Sequence, residues 1–229
     1  KGGSLRQVGR RIFRSELAVL AILLVMCAIM SIVSENFLTV SNLLNVLQRS
    51  AITGIVALGM TFVVLTGGID LSVGGQVVLI GVVGALMMVN GKGIPMAVLT
   101  MLGMGIVVGA LNGFNVSMLG LPPFIATLGS MSIAKGLQLI YTKAAVVGSL
   151  NQNFKNISQG SVGPIPNLII YVIIAAFIVW VVLRHTRQGT NFYAIGGNAQ
   201  AARVSGINVE RELMMVYTYA GILYGIAGT

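Results

Sequence analysis

The sequence predicts an all-α membrane protein, a polytopic bundle of hydrophobic helices. Hydrophobic residues make up 56% of the 229 positions and charged residues only 8%, a composition suited to lipid rather than to water. The few charges are separated by uncharged stretches that are long enough for helices crossing a bilayer, which need about 17–25 apolar residues. These stretches account for nearly the whole chain, so we expect a single transmembrane domain over residues 1–229.

Charges and turn-forming residues divide the chain into seven predicted spans. The first follows a basic segment and has no small-residue cleavage site behind it, so it is a retained helix rather than a secretory signal. A turn at Gly120-Leu121-Pro122-Pro123 divides the longest uncharged stretch, because proline lacks an amide donor and disfavours a helical residue before it. The last span has no closing basic residue, so we expect the chain to be incomplete at its C-terminus. The predicted spans are 17–33, 43–66, 71–91, 94–119, 123–142, 167–183 and 213–229.

The basic residues predict the orientation of these spans, because Lys and Arg are retained on the cytoplasmic side during insertion. Alternate loops hold most of them, which predicts a cytoplasmic N-terminus, a cytoplasmic loop over residues 184–212 and an external connection over residues 143–166. Topology therefore explains the net charge of +9, and no nucleic-acid partner is expected. The residues on the predicted cytoplasmic side are Lys1, Arg6, Arg10, Arg11, Arg14, Arg184, Arg187, Arg203 and Arg211, and those on the opposite side are Lys92, Lys143 and Lys155.

The sequence offers little for catalysis or metal binding. Its single cysteine, Cys27, lies in an apolar run, and its single histidine, His185, has no second histidine at a metal-binding spacing. A GxxxxGK[ST] phosphate loop is absent, and no nucleophile–base arrangement is visible. We therefore expect neither an enzyme nor a catalytic residue, a metal site or a cofactor held by this chain.

Two glycine repeats predict close helix packing. Gly105, Gly109 and Gly113 share one face of the fourth span, and Gly221 and Gly225 share one face of the seventh. Small residues at this spacing let two helix backbones approach closely in a membrane. Packing within the chain is the simpler interpretation of both repeats.

A polar break separates the second and third spans. Gly67 and Gly68 can end one helix in a left-handed conformation, and Asp70 or Ser72 can cap the amides that open the next. A carboxylate between two membrane helices usually faces a cavity or a partner, because an Asp at the bilayer centre costs about 2.5–3.5 kcal/mol. Two readings stay open: Asp70 lines the path of a solute, or it is an N-cap near the cytoplasmic headgroups.

The loop over residues 184–212 contains a short predicted helix. Asn198 can cap it, residues 199–205 include good helix formers, and Gly206 can end it. Small alanine faces allow close approach, so this helix could fit a groove of another protein. The residues alone leave that reading and a plain connecting loop equally open.

Three motifs of this sequence resemble the permease subunits of ribose-, xylose- and galactose-type ABC importers. They are residues 59–74 (GMTFVVLTGGIDLSVG), 123–131 (PFIATLGSM) and 194–208 (AIGGNAQAARVSGIN), and they follow the family's order. The similarity covers essentially the whole chain, including Asn36-Phe37-Leu38-Thr39 near its start. Motifs of this length are far more specific than a short pattern.

The resemblance implies a vitamin-B12-permease-like (type II ABC importer) arrangement of about ten helices, seven of them in this chain, in a bacterial inner membrane. It also implies that the loop helix is a coupling helix that docks on a cytoplasmic ATP-binding subunit, which would hold the ATP and Mg²⁺. A periplasmic sugar-binding protein and a second permease chain, identical or not, would complete the assembly. The implied coupling residues are Asn198, Ala199, Gln200, Ala201, Ala202, Arg203, Val204, Ser205 and Gly206; the candidates for the translocation path are Asp70, Thr66, Ser72, Asn112, Asn115 and Phe124.

The function expected from this resemblance is import of a monosaccharide or sugar-like solute by alternating access. The competing hypothesis is an ion-coupled secondary transporter of a small polar solute, which would also contain broken helices with a polar residue near the midplane. The shortage of ionisable groups disfavours it, because the predicted spans and their breaks offer only Asp70 and Lys135 for proton or sodium coupling.

Overall fold

The computed structural model describes the backbone of residues 2–145, 147–148 and 152–229, and the side chains from residue 17 onward within those ranges. This part of the chain is almost entirely helical, which confirms the predicted all-α fold. A two-stranded hairpin is the exception. The elements are α1 (Gly2–Val33), α2 (Val40–Leu65), α3 (Val73–Val89), α4 (Ile94–Ser117), α5 (Pro123–Thr142), α6 (Gln152–Gln159), β1 (Ser161–Val162), β2 (Ile165–Pro166), α7 (Asn167–His185), α8 (Arg187–Val204) and α9 (Val209–Gly228).

Each of the seven predicted spans coincides with a helix. Among the described helices, α2, α4 and α7 are long and apolar enough to cross a membrane. Two further apolar segments, Leu17–Val33 within α1 and the whole of α3, are shorter. These findings agree with a polytopic membrane protein.

The chain divides into two units, Lys1–Leu47 and Gln48–Thr229. In the first unit α1 starts at Gly2, well before the predicted span 17–33. The side chains of the basic segment before that span, on which the predicted orientation depends, lie outside the described residues. The turn into α2 is closed by Asn42, whose side-chain amide donates to the Phe37 carbonyl oxygen over 2.8 Å.

The second unit has its main core between α2, α7, α8 and α9. Its largest side chains are fully enclosed, among them Phe62, Phe192, Tyr217 and Tyr224. Helix α3 packs against α4, α5 and α9. Helix α3, which begins after the polar break, therefore lies against α4, α5 and α9.

Helices α4 and α9 form the closest helix pair, and the two glycine repeats meet in their interface. A Cβ atom built on Gly109 would lie 2.9 Å from the Cα of Gly221 and 2.5 Å from the Tyr217 carbonyl oxygen. One built on Gly105 would lie 2.9 Å from the Cα of Gly225. The predicted packing within the chain is therefore confirmed, because backbone contacts backbone along this seam with no room for a side chain.

The external connection predicted over residues 143–166 contains more structure than expected. Helix α6 lies within it, and Phe154 on that helix is buried in a small cluster with Ile80 and Met101. The strands β1 and β2 pair antiparallel, with Val162 opposite Ile165. Burial of one aromatic side chain orders a segment whose polar composition indicated only a loop. Residues 146 and 149–151 of this connection lie outside the described residues.

Side-chain caps explain the starts of two helices that begin before their predicted bounds. Helix α9 begins at Val209 rather than at residue 213, since the Asn208 side chain accepts the Arg211 amide over 2.9 Å and the first turn is acidic. Helix α8 begins at Arg187, where the Thr186 hydroxyl accepts the Gly189 amide over 3.2 Å. The region 184–212 is therefore mostly helical rather than an extended polar loop.

Candidate translocation and coupling sites

The break after α2 is shaped by two glycines that serve different purposes. Gly67 has a φ of +80°, which confirms the predicted left-handed helix end. Gly68 is required by packing instead, because a Cβ atom there would lie 2.8 Å from the Tyr217 hydroxyl oxygen on α9. The amide of Gly68 donates to the Val63 carbonyl over 3.0 Å and closes the turn.

Asp70 follows this turn and is only 1% exposed. Its Oδ1 atom accepts the Ser72 amide over 2.9 Å and also accepts the Ser72 hydroxyl. Ser72 occupies the N-cap position of α3, yet its own side chain makes no capping bond. Of the two caps that the sequence allowed, the Ser72 side chain therefore makes no capping bond, and the one backbone amide that Asp70 accepts is that of the N-cap residue itself.

The Ser72 hydroxyl is the centre of a largely buried hydrogen-bond network. It accepts the side-chain amides of Gln76, over 2.5 Å, and of Asn112, over 2.8 Å. Asn112 in turn accepts the Ser130 hydroxyl over 2.5 Å. One donated and two accepted bonds use the full capacity of the Ser72 hydroxyl. We call Asp70, Ser72, Gln76, Asn112 and Ser130 the polar network; it joins the break to α3, α4 and α5.

Thr127 anchors the same break to the start of α5. Its hydroxyl accepts the Leu71 amide over 3.0 Å and donates to the Pro123 carbonyl over 2.8 Å. Thr127 is fully buried. The backbone before α3 is therefore held by one side chain from a helix more than fifty residues away.

Polar atoms with unused bonding capacity surround the network. Gln76 Oε1 and the Tyr217 hydroxyl are buried and have no hydrogen-bond partner among the described residues. The Tyr224 hydroxyl lies close enough to the Asp70 carboxylate for an electrostatic interaction. Buried polar groups without partners are rare in folded proteins and call for a further ligand, a water molecule or another conformation.

The structure brings together only half of the predicted path residues. Asp70, Ser72 and Asn112 belong to the polar network. Thr66 does not, because its hydroxyl donates to the Val63 carbonyl over 3.0 Å. Asn115 is half-buried one turn further along α4, and the Phe124 side chain is 52% exposed.

Gln76, Thr127 and Ser130 were missed by the sequence analysis. Gln76 could have been found, because it lies four residues after Ser72 in an otherwise apolar helix, a spacing that places both on one face. Thr127 and Ser130 lie inside the motif 123–131, but nothing in that motif indicates which partner they bind. Their partners are distant in sequence.

The predicted loop helix begins and ends at the residues that the sequence indicated. Asn198 is non-helical within α8 (φ −164°, ψ 102°), and its Oδ1 atom accepts the Ala201 amide over 3.0 Å. Gly206 has a φ of +85° and ends the helix. Helix α8 therefore consists of a base, residues 187–197, and a short second helix, which with its caps forms the knob, residues 198–206.

Most of the knob is exposed, and Val204 is exposed to 87%. Ala202 is the exception, since it is buried against Ile195 and Val209. Arg203 forms an ion pair with Glu210. The outward surface of the knob thus consists mainly of small side chains, with Gln200, an exposed valine and an arginine bonded to Glu210.

The base of α8 is packed firmly into the bundle. The ring of Phe192 contacts the rings of Phe62 and Tyr219, with centroids 6.0 and 6.2 Å away. Asn191 donates to the Glu212 carboxylate over 2.7 Å, which ties α8 to α9. The knob therefore follows directly on a segment that contacts both α2 and α9.

Comparison with known proteins identifies the family. Residues 42–229 match the family model described as the permease component of the branched-chain amino acid transport system. The chain belongs to this permease family. The match covers α2 to α9 and with them both candidate sites of the permease.

Curated relatives of this permease include two kinds of sugar import protein. The permease is 41% identical to the ribose import permease RbsC of Bacillus subtilis over 90% of its length, and 38% identical to RbsC of Escherichia coli K12 over 96%. It is 36% identical over 92% to the galactose/methyl galactoside import permease MglC of Haemophilus influenzae. These findings confirm the resemblance found in the sequence. The permease chain spans 65%, 71% and 68% of the lengths of these three relatives. No solved structure matches it.

Proposed function

We propose that this chain is the membrane-spanning permease subunit of an ATP-driven importer that moves a monosaccharide or sugar-like solute into the cytoplasm by alternating access. The observation that carries the proposal is the extensive identity with relatives named ribose and galactose import permeases. The buried polar network supports it, because amides and hydroxyls are suitable partners for sugar hydroxyls. The ion-coupled alternative has no such support.

The polar network is proposed as the closed part of the translocation path. Four of its five members are buried, Ser130 is half-buried, and all are bonded to one another, so a solute could bind the buried members only after the helices separate. Alternating access requires such a change of packing. Gln76 Oε1 and the Tyr217 hydroxyl would supply additional partners to a hydroxylated solute. Thr66, Asn115 and Phe124 stay as candidates that flank the network.

The knob, residues 198–206, is proposed to dock on a cytoplasmic ATP-binding subunit. Its exposed small residues and Val204 suit a shallow groove, and the Asn198 cap keeps it ordered before docking. ATP and Mg²⁺ would be held by that partner, so hydrolysis would take place outside this chain. Ala202 would support the knob from below rather than touch the partner.

The remaining parts of the assembly follow from the same proposal. A periplasmic sugar-binding protein would deliver the solute, and a second permease chain, identical or not, would complete the pathway. The subunit would lie in a bacterial inner membrane with its N-terminus in the cytoplasm, as the distribution of Lys and Arg favours. A vitamin-B12-permease-like arrangement of about ten helices in the complete subunit is part of the proposal.

Reconstitution tests this function directly. The full-length protein is placed in liposomes with its ATP-binding subunit and binding protein, and uptake of labelled ribose or galactose is measured. We expect uptake that requires ATP and is insensitive to ionophores. Uptake without the ATP-binding subunit that disappears when ion gradients are collapsed would instead indicate a secondary transporter.

A further inference from the structure

A backbone contact joins the base of α8 to the end of α2. A Cβ atom built on Gly196 would collide with the Leu65 carbonyl oxygen, and it would lie 3.0 Å from the Leu65 carbonyl carbon and 3.6 Å from the Cα of Thr66. Leu65 is the last residue of α2. The two chain segments therefore touch with no side chain between them.

The neighbouring glycine has no such contact. A Cβ atom on Gly197 would meet no atom of the described residues within 4 Å. Neither Gly196 nor Gly197 has a positive φ, so an alanine at either position is free of backbone strain. The two positions differ only in what lies next to them, which makes one the control for the other.

On one side the contact leads to the knob. Gly196 lies two residues before the kink at Asn198, where the knob begins. Ile195 beside it is 4% exposed, and Phe192 one turn earlier is fully buried. A displacement of the knob would therefore act on a segment whose side chains are packed in the core, so the segment could move only if that packing changed.

On the other side the contact leads to the polar network. The turn at Gly67 and Gly68 follows Leu65 directly, and both amides donate to carbonyls of α2 over 3.0 Å. Asp70 comes five residues after Leu65 and holds Ser72, which binds Asn112. A displacement of the Leu65 carbonyl therefore reaches the network through a few hydrogen-bonded residues.

We propose that Gly196 is a positioning residue: its contact with Leu65 makes the knob and the polar network move together. This inference rests on the proposed function, since it assumes that the knob is moved by an ATP-binding subunit. It adds the place where that movement enters the membrane bundle. Because the partner atoms of Gly196 are backbone, a side chain at this position can be accommodated only by separating the two segments.

The test compares Gly196→Ala with Gly197→Ala in the full-length protein assembled with its ATP-binding subunit in liposomes. Both variants, and the parent protein with which they are compared, carry Cys27→Ser and a reporter cysteine, Ile69→Cys, in the break. Ile69 is 53% exposed, so a cysteine at this position can react with a maleimide. Three quantities are measured: co-purification of the ATP-binding subunit, the change in labelling rate on adding ATP, and ribose uptake.

We expect both variants to bind the ATP-binding subunit like the parent. The ATP-dependent change in labelling and the uptake should fall at least about fivefold in Gly196→Ala, the lower end of typical coupling between sites, and stay at the parental level in Gly197→Ala. Equal behaviour of the two variants would overturn the inference. The inference would also be overturned if the parent protein, carrying the same reporter, took up ribose while its labelling rate was the same with and without ATP.

Hydrogen exchange of the unsubstituted complex covers the case in which Gly196→Ala fails to fold. ATP should change the exchange of residues 189–198 and of residues 63–72 together. A change confined to one of the two segments would contradict the inference. A parent protein that does not bind the ATP-binding subunit at all would refute the proposed function, and the inference with it, whereas a failure of Gly196 alone leaves the proposed function standing.

Discussion

Asn112 on α4 donates its side-chain amide to the Ser72 hydroxyl at the start of α3, with 2.8 Å between the two atoms. Forty residues separate them in the chain. Asn112 also accepts the Ser130 hydroxyl from α5, so one buried amide joins three helices. Removing it takes one of three bonds from the buried Ser72 hydroxyl and takes from the Ser130 hydroxyl the acceptor it has here.

Replacement of Asn112 by alanine should destabilise the protein by about 1–3 kcal/mol, because the buried Ser72 hydroxyl loses one of its bonds and the half-buried Ser130 hydroxyl loses its acceptor. Uptake should fall as well. Thermal unfolding in detergent and uptake into liposomes measure the two effects. Asn115→Ala, one turn further along the same helix, is the matched control, and equal losses in both variants would argue against a special role of Asn112.

Asp70→Asn should fold and insert like the parent, whereas Asp70→Leu should not. An asparagine keeps an oxygen that can accept the Ser72 amide and hydroxyl, and leucine leaves both without an acceptor. The melting temperatures of the two variants check this. Uptake by the asparagine variant then reports on the charge alone: normal uptake would remove the case for a charge-dependent step.

Gly109→Ala should cost about 1–3 kcal/mol by overpacking the seam between α4 and α9, since the added carbon would lie 2.5 Å from the Tyr217 carbonyl oxygen. Gly103→Ala is the control on the same helix, because a carbon there meets no described neighbour within 4 Å. The temperature at which each variant loses its monodisperse elution profile is the measurement. If Gly109→Ala were as stable as the control, the interface between α4 and α9 would be able to accommodate a methyl group without loss of stability.

Arg203→Ala should weaken binding of the ATP-binding subunit while leaving membrane insertion intact. The ion pair with Glu210 offers a control, because Glu210→Gln breaks the same pair but keeps the arginine. An exposed pair contributes only about 0–1 kcal/mol, so neither change should unfold the knob. Co-purification of the partner should drop for Arg203→Ala and not for Glu210→Gln. Equal drops in the two variants would mean that binding depends on the ion pair rather than on a contact of Arg203 with the partner.

Ala201→Trp should also reduce that co-purification, because bulk on the exposed face of the knob prevents close approach. Ala145→Trp places the same side chain at an exposed position of the predicted external connection. The second variant should bind the partner normally. Undiminished binding by Ala201→Trp would contradict docking through the knob.

The features that sequence reasoning predicted correctly depend on near neighbours in the chain. The left-handed Gly67, the Asn198 cap and the end at Gly206 are each governed by two or three adjacent residues. The glycine repeats were also predictable, since 3.6 residues per turn places their members on one face. Asn208 and Thr186 act through equally local rules, so these two caps could have been predicted and were overlooked.

The membership of the polar network was not predictable in the same way. Ser130 and Thr127 look like many other hydroxyls in apolar helices, which commonly bond back to their own helix. Ser132 does so, donating to the Leu128 carbonyl over 3.1 Å. Which hydroxyl instead binds another helix depends on which faces meet, and no pattern within one helix contains that information.

By itself the sequence determined the class of protein, the approximate limits of its seven apolar helices and several of the residues that begin or end a helix, because hydrophobic length and capping act over a few residues. It did not predict α6 or the base of α8. Tertiary structure alone decided that Ser72 stands at the centre of a buried network and that Gly196, rather than Gly197, touches the end of α2. The physical reason is that two glycines with identical local chemistry acquire different roles only when folding places a distant backbone against one of them.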